Sequence, residues 1–256
     1  MSARIRRYKI LLLTLLQLGM MSIARVVLYR CLLKLGYYKK TLKIREFNQE
    51  GHFFSGLSAP PPKKDIQSSQ AIISCADSLI NGELELFSHF HCHFQGMPDW
   101  FYDPLSDKTH CNTEHWTSLN EFGFESSDVK ILWETSRFSW APILAQAFVL
   151  TKDFTYLDTL NAWIEDWCTK NPANQGIQWK CGQETSLRLL HFLTTLRLLG
   201  EHENPQTRCL EFVERHLERI APTTFYAQAQ RNNHLTSEGA ALYIAGYWLS
   251  QQKSVK

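Results

Sequence analysis

From residue 143 to residue 171 the chain runs without a proline or a glycine, and it does so again from 183 to 199. Within and beyond these runs the apolar residues recur at helical spacing: Leu157, Leu160, Trp163, Ile164 and Trp167; then Leu187, Leu190, Leu193 and Leu196; then Leu210, Val213, Leu217 and Ile220. Each stripe is closed by residues that end helices, Asn171-Pro172, Gly200 and Pro222 respectively. Long stripes with short connectors predict antiparallel helix pairs packed side by side, an all-α protein rather than a sheet.

The flanking segments fit the same plan. Ile66, Ile72, Ile73, Ala76, Leu79 and Ile80 predict a helix that stops at Asn81-Gly82. Leu84, Leu86, Phe90, Cys92 and Phe94 then alternate with Glu83, Glu85, His89, His91 and His93, a period of two that predicts one extended strand. Residues 97–125, rich in Pro, Asp, Trp and His, predict a long irregular loop. A helix capped by Ser126 or Ser127 is expected to carry Val129, Leu132, Trp133 and Trp140 up to a break at Pro142, and a last helix to run from about Thr236 to Ser250.

Charge divides the chain unequally. Of 27 Lys+Arg and 25 Asp+Glu overall, residues 1–64 hold 13 basic and 2 acidic, leaving the remainder acidic. That imbalance argues against a nucleic-acid groove across the main domain, while the basic, leucine-rich front suits either peripheral membrane contact or nucleic acid. Residues 1–59 are read as an N-terminal helical arm, 60–64 (Pro60, Pro61, Pro62, Lys63, Lys64) as a linker, and 65–256 as the domain. The RIRRYK run before Ile10–Ala24 also fits a cleaved signal or an anchor, although its uncharged stretch is short for a span. Seven cysteines without a CxxC pair suit reduced packing residues better than disulfides or zinc.

Three blocks carry chemistry. Glu134 and Arg137 stand one helical turn apart and can pair, holding a wall together. Glu184, Arg188 and His191 form an ionisable stripe that either faces water or lines a polar cavity, and Trp179 just before it is a sugar platform or a core residue. Asn232, Asn233 and His234 approach a helix, where an amide can donate to an anion and an imidazole can move a proton. His89, His91 and His93 have no completing carboxylate or thiolate, and His110 with His115 is no better, so no metal is expected.

Taken in order, these blocks resemble the N-terminal domain of the heparinase II/III family of polysaccharide lyases. The resemblance is carried by DW…DP at 99–104, HW at 115–116, DVK..WE.SR at 128–137, LTKD at 150–153, W…NP…G..W at 167–179, E...R at 184–188 and NNHL…E at 232–238. It implies an incomplete α/α toroid and β-elimination of uronate-containing polysaccharide, glycosaminoglycan-like or alginate-like, without a cofactor. In such a reaction, donors aimed at the uronate carboxylate stabilise the charge that develops when the C5 proton leaves. Carried over by position, Asn233 neutralises the carboxylate and His234 is a second donor or acid/base partner, while Asn232, Trp179, Glu184, Arg188, His191 and Glu238 contact substrate.

The family's catalytic tyrosine falls beyond Lys256, and Tyr226, Tyr243 and Tyr247 do not match its position. The chain is therefore expected to be a portion of the toroid, weakly active or inactive alone, that a second chain or domain completes. Two other classes stay open: a toroid glycosidase using two of Glu134, Glu184 and Glu238, and a non-catalytic glycan-binding scaffold. Periplasm and cytoplasm are both compatible with the sequence.

Overall fold

The computed structural model describes residues 19–61, 66–110, 113–119 and 128–254, and these are mostly helical. The first segment is α1 (Met20–Lys34) and α2 (Tyr37–Thr41), followed by a chain without regular helix or strand to residue 61. Then come α3 (Ile66–Ile80), a hairpin of β1 (Glu83–Leu86) and β2 (Phe90–His93), and a smaller hairpin of β3 (Tyr102–Asp103) and β4 (Lys108–Thr109). The remainder is α4 (Val129–Ser136), α5 (Trp140–Thr151), α6 (Phe154–Lys170), α7 (Gly182–Leu198), α8 (Thr207–Ile220), α9 (Thr224–Gln230) and α10 (Asn233–Ser254).

The α6 stripe is buried as the spacing predicts, whereas the buried faces of α7 and α8 are formed by Leu189, Phe192 and Leu196 and by Cys209, Phe212, Val213 and Ile220, leaving Leu187, Leu190, Leu193, Leu210 and Leu217 half-buried. A two-residue connection joins α5 to α6 and the two pack together, which forces them antiparallel. Helices α3, α5, α7 and α10 touch in succession, while α6 packs on α5 and α8 packs on both α7 and α10. Leu160, Ile164, Trp167, Leu189, Phe192, Phe212 and Val213 form the centre of the shared core. Phe212 stacks on Phe192 with centroids 4.2 Å apart, and Trp167 meets Phe138 edge to face at 5.3 Å.

Three local expectations need correction. The alternating run from Leu84 to Phe94 is a hairpin and not one strand: Phe87 and Ser88 take positive φ (53° and 60°), turning the chain so that Glu83 opposes His93 and Glu85 opposes His91. The break before α5 comes earlier than Pro142. Asp128 caps α4, the chain turns at Phe138 with φ 63°, and Pro142 sits in the first turn of α5, where a missing N–H leaves no helical bond unmade. The helix expected from Thr236 begins at Asn233, with the Asn232 side chain accepting from the His234 N–H at 3.0 Å.

The front segment is part of the core and not a separate arm. Tyr38, Phe47, Phe53 and Phe54 are buried in the same cluster as the helices. Glu201, just past the end of α7, accepts from the backbone N–H groups of Ser55 (3.0 Å) and Gly56 (2.7 Å), and Arg45 exchanges backbone bonds with Ala173. A chain with four buried aromatics cannot detach without exposing them. Residues 1–18 and 62–65, with most of the expected signal region and the linker, lie outside the described residues, as do Ser126 and Ser127, the expected caps of α4.

Candidate functional site

A cleft of about 510 Å³ opens where α1, α7, α8, α9 and α10 meet. The local sequence explains how its groups arrive there. Asn232 caps α10, so His234 and Glu238 fall one turn apart on one face of that helix and line the cleft together. Cys181, in extended conformation, precedes α7, bringing Gly182 and the helix N-terminus to the same wall. Arg219 comes from α8, and its guanidinium lies 3.8 Å from the centre of the Trp116 ring, which a single 3-10 turn (Trp116–Ser118) carries to the cleft. Tyr29 of α1 stacks on Tyr226 of α9 with centroids 3.9 Å apart, so two phenol rings form another part of the wall.

The ionic groups are unevenly satisfied. Arg219 donates to the Trp179 and Lys180 carbonyls, both at 2.7 Å, and to Thr223 Oγ1 at 3.1 Å. Lys180 Nζ donates to the Leu119 carbonyl at 2.7 Å. Glu238 is only 3% exposed, and its Oε2 has no hydrogen-bond partner. Burial pushes its carboxyl up to about 7, against an opposing pull from Arg219. His234 Nδ1 lies 4.0 Å from Glu238 Oε1 and 4.0 Å from Cys181 Sγ, and burial lowers its pKa, with Glu184 acting in the opposite sense. Burial likewise raises the Cys181 thiol to about 11, which keeps it protonated and unreactive at neutral pH.

The sequence-derived candidates divide into two groups. His234 and Glu238 line the cleft; Asn233 is exposed on the first turn of α10 and does not line it, while Asn232 spends its side chain on the cap. Glu184, Arg188, His191 and Trp179 do not line it either. Arg188 is fully buried, donating to His216 Nε2 (3.0 Å), the Gln178 carbonyl (3.1 Å) and the Ser136 carbonyl (3.3 Å), with its guanidinium over Trp167 and Trp179. Glu184 receives a two-pronged bond from Arg137, at 2.6 and 2.9 Å, and Glu134 pairs with the same guanidinium. His191 Nδ1 donates to the Arg137 carbonyl at 2.7 Å, and Trp179 donates its indole N–H to the Asn171 carbonyl at 3.1 Å.

The ionisable stripe of α7 is thus neither solvent-facing nor cavity-lining. It is a buried polar network that ties α7 to the end of α4 and to α8, because α7 is enclosed on several sides and its polar groups find protein partners. Glu134 and Arg137 pair as their spacing predicts, but neither lines the cleft, and what they hold is this network in place of a cleft wall. Arg219, Lys180 and Arg30 line the cleft without standing out in the sequence. Arg219 lies among the charges of ERHLERI, which look like a solvated helix face, and nothing local distinguishes it.

Of the histidine candidates on the hairpin, His91 and His93 oppose Glu85 and Glu83, and His89 Nδ1 donates to the Phe87 carbonyl at 2.6 Å. No group of His, Cys, Asp and Glu among the described residues is arranged to hold a metal ion. His115 is buried, its Nε2 2.7 Å from the Leu42 carbonyl. Comparison of the chain with protein-family models, with curated proteins and with solved structures finds no match.

Proposed function

We propose that the cleft binds uronate-containing polysaccharide and that the chain is the N-terminal portion of a lyase of the heparinase II/III type, with the helix pairs forming part of an α/α toroid. One observation carries this reading: blocks distant in sequence, Trp116, Trp133, Lys180–Gly182 and His234–Glu238, converge on one cleft that also holds Arg30 and Arg219. Arg30, Lys180 and Arg219, lining one cleft, suit an anionic sugar, whose carboxylate meets the positive groups. The succession α3, α5, α7, α10 with α6 and α8 packed against it supports the toroid part of the proposal.

Within this reading His234 is the donor nearest the reacting centre. Glu238, whose carboxyl is pushed up to about 7 and so is protonated in about half of the molecules at neutral pH, donates in that form a hydrogen bond to a carboxylate instead of repelling it. Asn233 joins only by turning in from the first turn of α10. A glycosidase needs two carboxylates across its cleft. Glu134 and Glu184 are both committed to Arg137, which leaves Glu238 as the sole carboxylate among the described cleft-lining residues and favours the lyase over the hydrolase.

The test is calorimetric titration with oligouronates and with neutral oligosaccharides of equal length, alongside an assay for the ultraviolet absorbance of unsaturated uronate. Oligouronates are expected to bind and His234→Ala to weaken that binding, with turnover low. Equal affinity for neutral sugars, or cleavage that releases reducing ends without the absorbance, overturns the proposal.

A further inference from the structure

The outer face of α1 has no use in the cleft. Its inner face carries buried Tyr29 and the partly buried Leu32 and Leu33. The opposite face presents Met20, Ala24, Val27, Leu28, Cys31 and Leu35, a stripe at i, i+4, i+7 and i+8 spacing that is exposed throughout. Leu35 is 73% exposed and Met20 88%. A helix on the surface of a globular domain ordinarily turns charged residues outward there, so this stripe is inverted.

Charge sharpens the observation. Between Gly19 and Lys43 the sequence holds Arg25, Arg30, Lys34, Lys39, Lys40 and Lys43 and no acidic residue, and residues 1–18 add four more basic residues and no acidic one. Lys34, Lys39 and Lys40 are exposed beside the end of the stripe, next to the exposed ring of Tyr37. No helix among the described residues is long and apolar enough to cross a bilayer.

We propose that α1 is an interfacial helix that docks this protein on an anionic lipid bilayer, with the Met20–Leu35 stripe seated at the level of the headgroups and the lysines on phosphate. An apolar stripe edged by lysines and a tyrosine matches the layered chemistry of a membrane surface. Nucleic acid offers no place for the stripe. A second copy of the chain would set one basic front against another, which like charge opposes. Because Arg30 and Leu33 of the same helix line the cleft, docking fixes the cleft beside the membrane surface.

The experiment is co-sedimentation of the full chain with vesicles of phosphatidylcholine alone and with vesicles that also contain phosphatidylserine. Binding to the anionic vesicles is expected, with little to the neutral ones. Each lysine near such a surface is worth about fivefold in affinity, so Lys39→Gln with Lys40→Gln is expected to lose about 25-fold. Val27→Ser with Leu28→Ser is expected to weaken binding as well, with the helical circular dichroism unchanged because both positions are exposed. The proposal is overturned by equal binding to both vesicle types, by no binding to either, or by a dimer on size exclusion that the Val27→Ser, Leu28→Ser variant abolishes.

Discussion

Gly182 and Glu238 are packed so closely that a Cβ at residue 182 would stand 2.5 Å from Glu238 Oε1. The first residue of α7 thereby sets where the buried carboxylate of α10 sits, and the fit of the two helices at the cleft wall depends on the absence of one methyl group. Gly182 begins a helix without a positive φ, so alanine there is conformationally permitted and would by itself favour the helix by about 0.5–1 kcal/mol. In the native background, however, Gly182→Ala is expected to destabilise by about 1 kcal/mol, because Glu238 must move. In a Glu238→Ala background the same change is expected to stabilise. Urea unfolding of the four proteins in this cycle checks the coupling, and simple additivity refutes it.

Glu238 also gives the fold a pH dependence whose sign follows from its raised pKa. The folded state holds the proton up to about pH 7, whereas the unfolded chain releases it in the ordinary carboxylate range. Its contribution is therefore full in acid, falls as pH rises toward 7 and is lost above it, by roughly 3 kcal/mol in total. Glu238→Gln keeps the shape and removes the titration. Relative to the native chain, this variant is expected to gain stability at pH 8 over pH 4, and denaturant unfolding at the two pH values measures the difference.

Arg188, a candidate for substrate contact in the sequence, and His234, a candidate donor or acid/base partner, are expected to separate cleanly. Arg188→Met leaves the Ser136 and Gln178 carbonyls and His216 without their donor. A loss of about 3–5 kcal/mol in unfolding free energy is expected, as for other broken buried networks. His234→Ala, on a partly exposed side chain with only 4.0 Å contacts, is expected to cost less than about 1 kcal/mol while lowering oligouronate affinity. The reverse pattern would place substrate recognition on α7.

The Arg137 network predicts an asymmetry between its two acids. Glu184 is buried and depends on the two-pronged bond, whereas Glu134 keeps more contact with water. Arg137→Met, which strands Glu184, is expected to destabilise by about 3–5 kcal/mol. Glu134→Gln is expected to cost about 1 kcal/mol or less. Thermal melts of the two variants distinguish them, and equal losses would show that the three groups act as one unit.

The helices are legible in the sequence because an amphipathic stripe and its stop signals are local properties: the stripe from Leu157 to Trp167 and its end at Asn171 need only neighbours a few residues away. His234 and Glu238 are marked in the sequence by the family resemblance, but with the helix expected from about Thr236 only the structure, which starts it at Asn233, sets them one turn apart on one face. Polarity cannot say which way Glu184, Arg188 and Arg219 face. A charged side chain on a helix looks the same in sequence whether water or a carbonyl from a distant segment satisfies it. Only the packing of α4, α7 and α8 supplies the Ser136, Gln178, Trp179 and Lys180 carbonyls that draw the two guanidinium groups inward. The same limit governs the front segment: its basic charge and leucines follow from composition, but the burial of Phe47, Phe53 and Phe54 in the helical core depends on contacts with residues more than 100 positions away, such as Asn161 and Glu201.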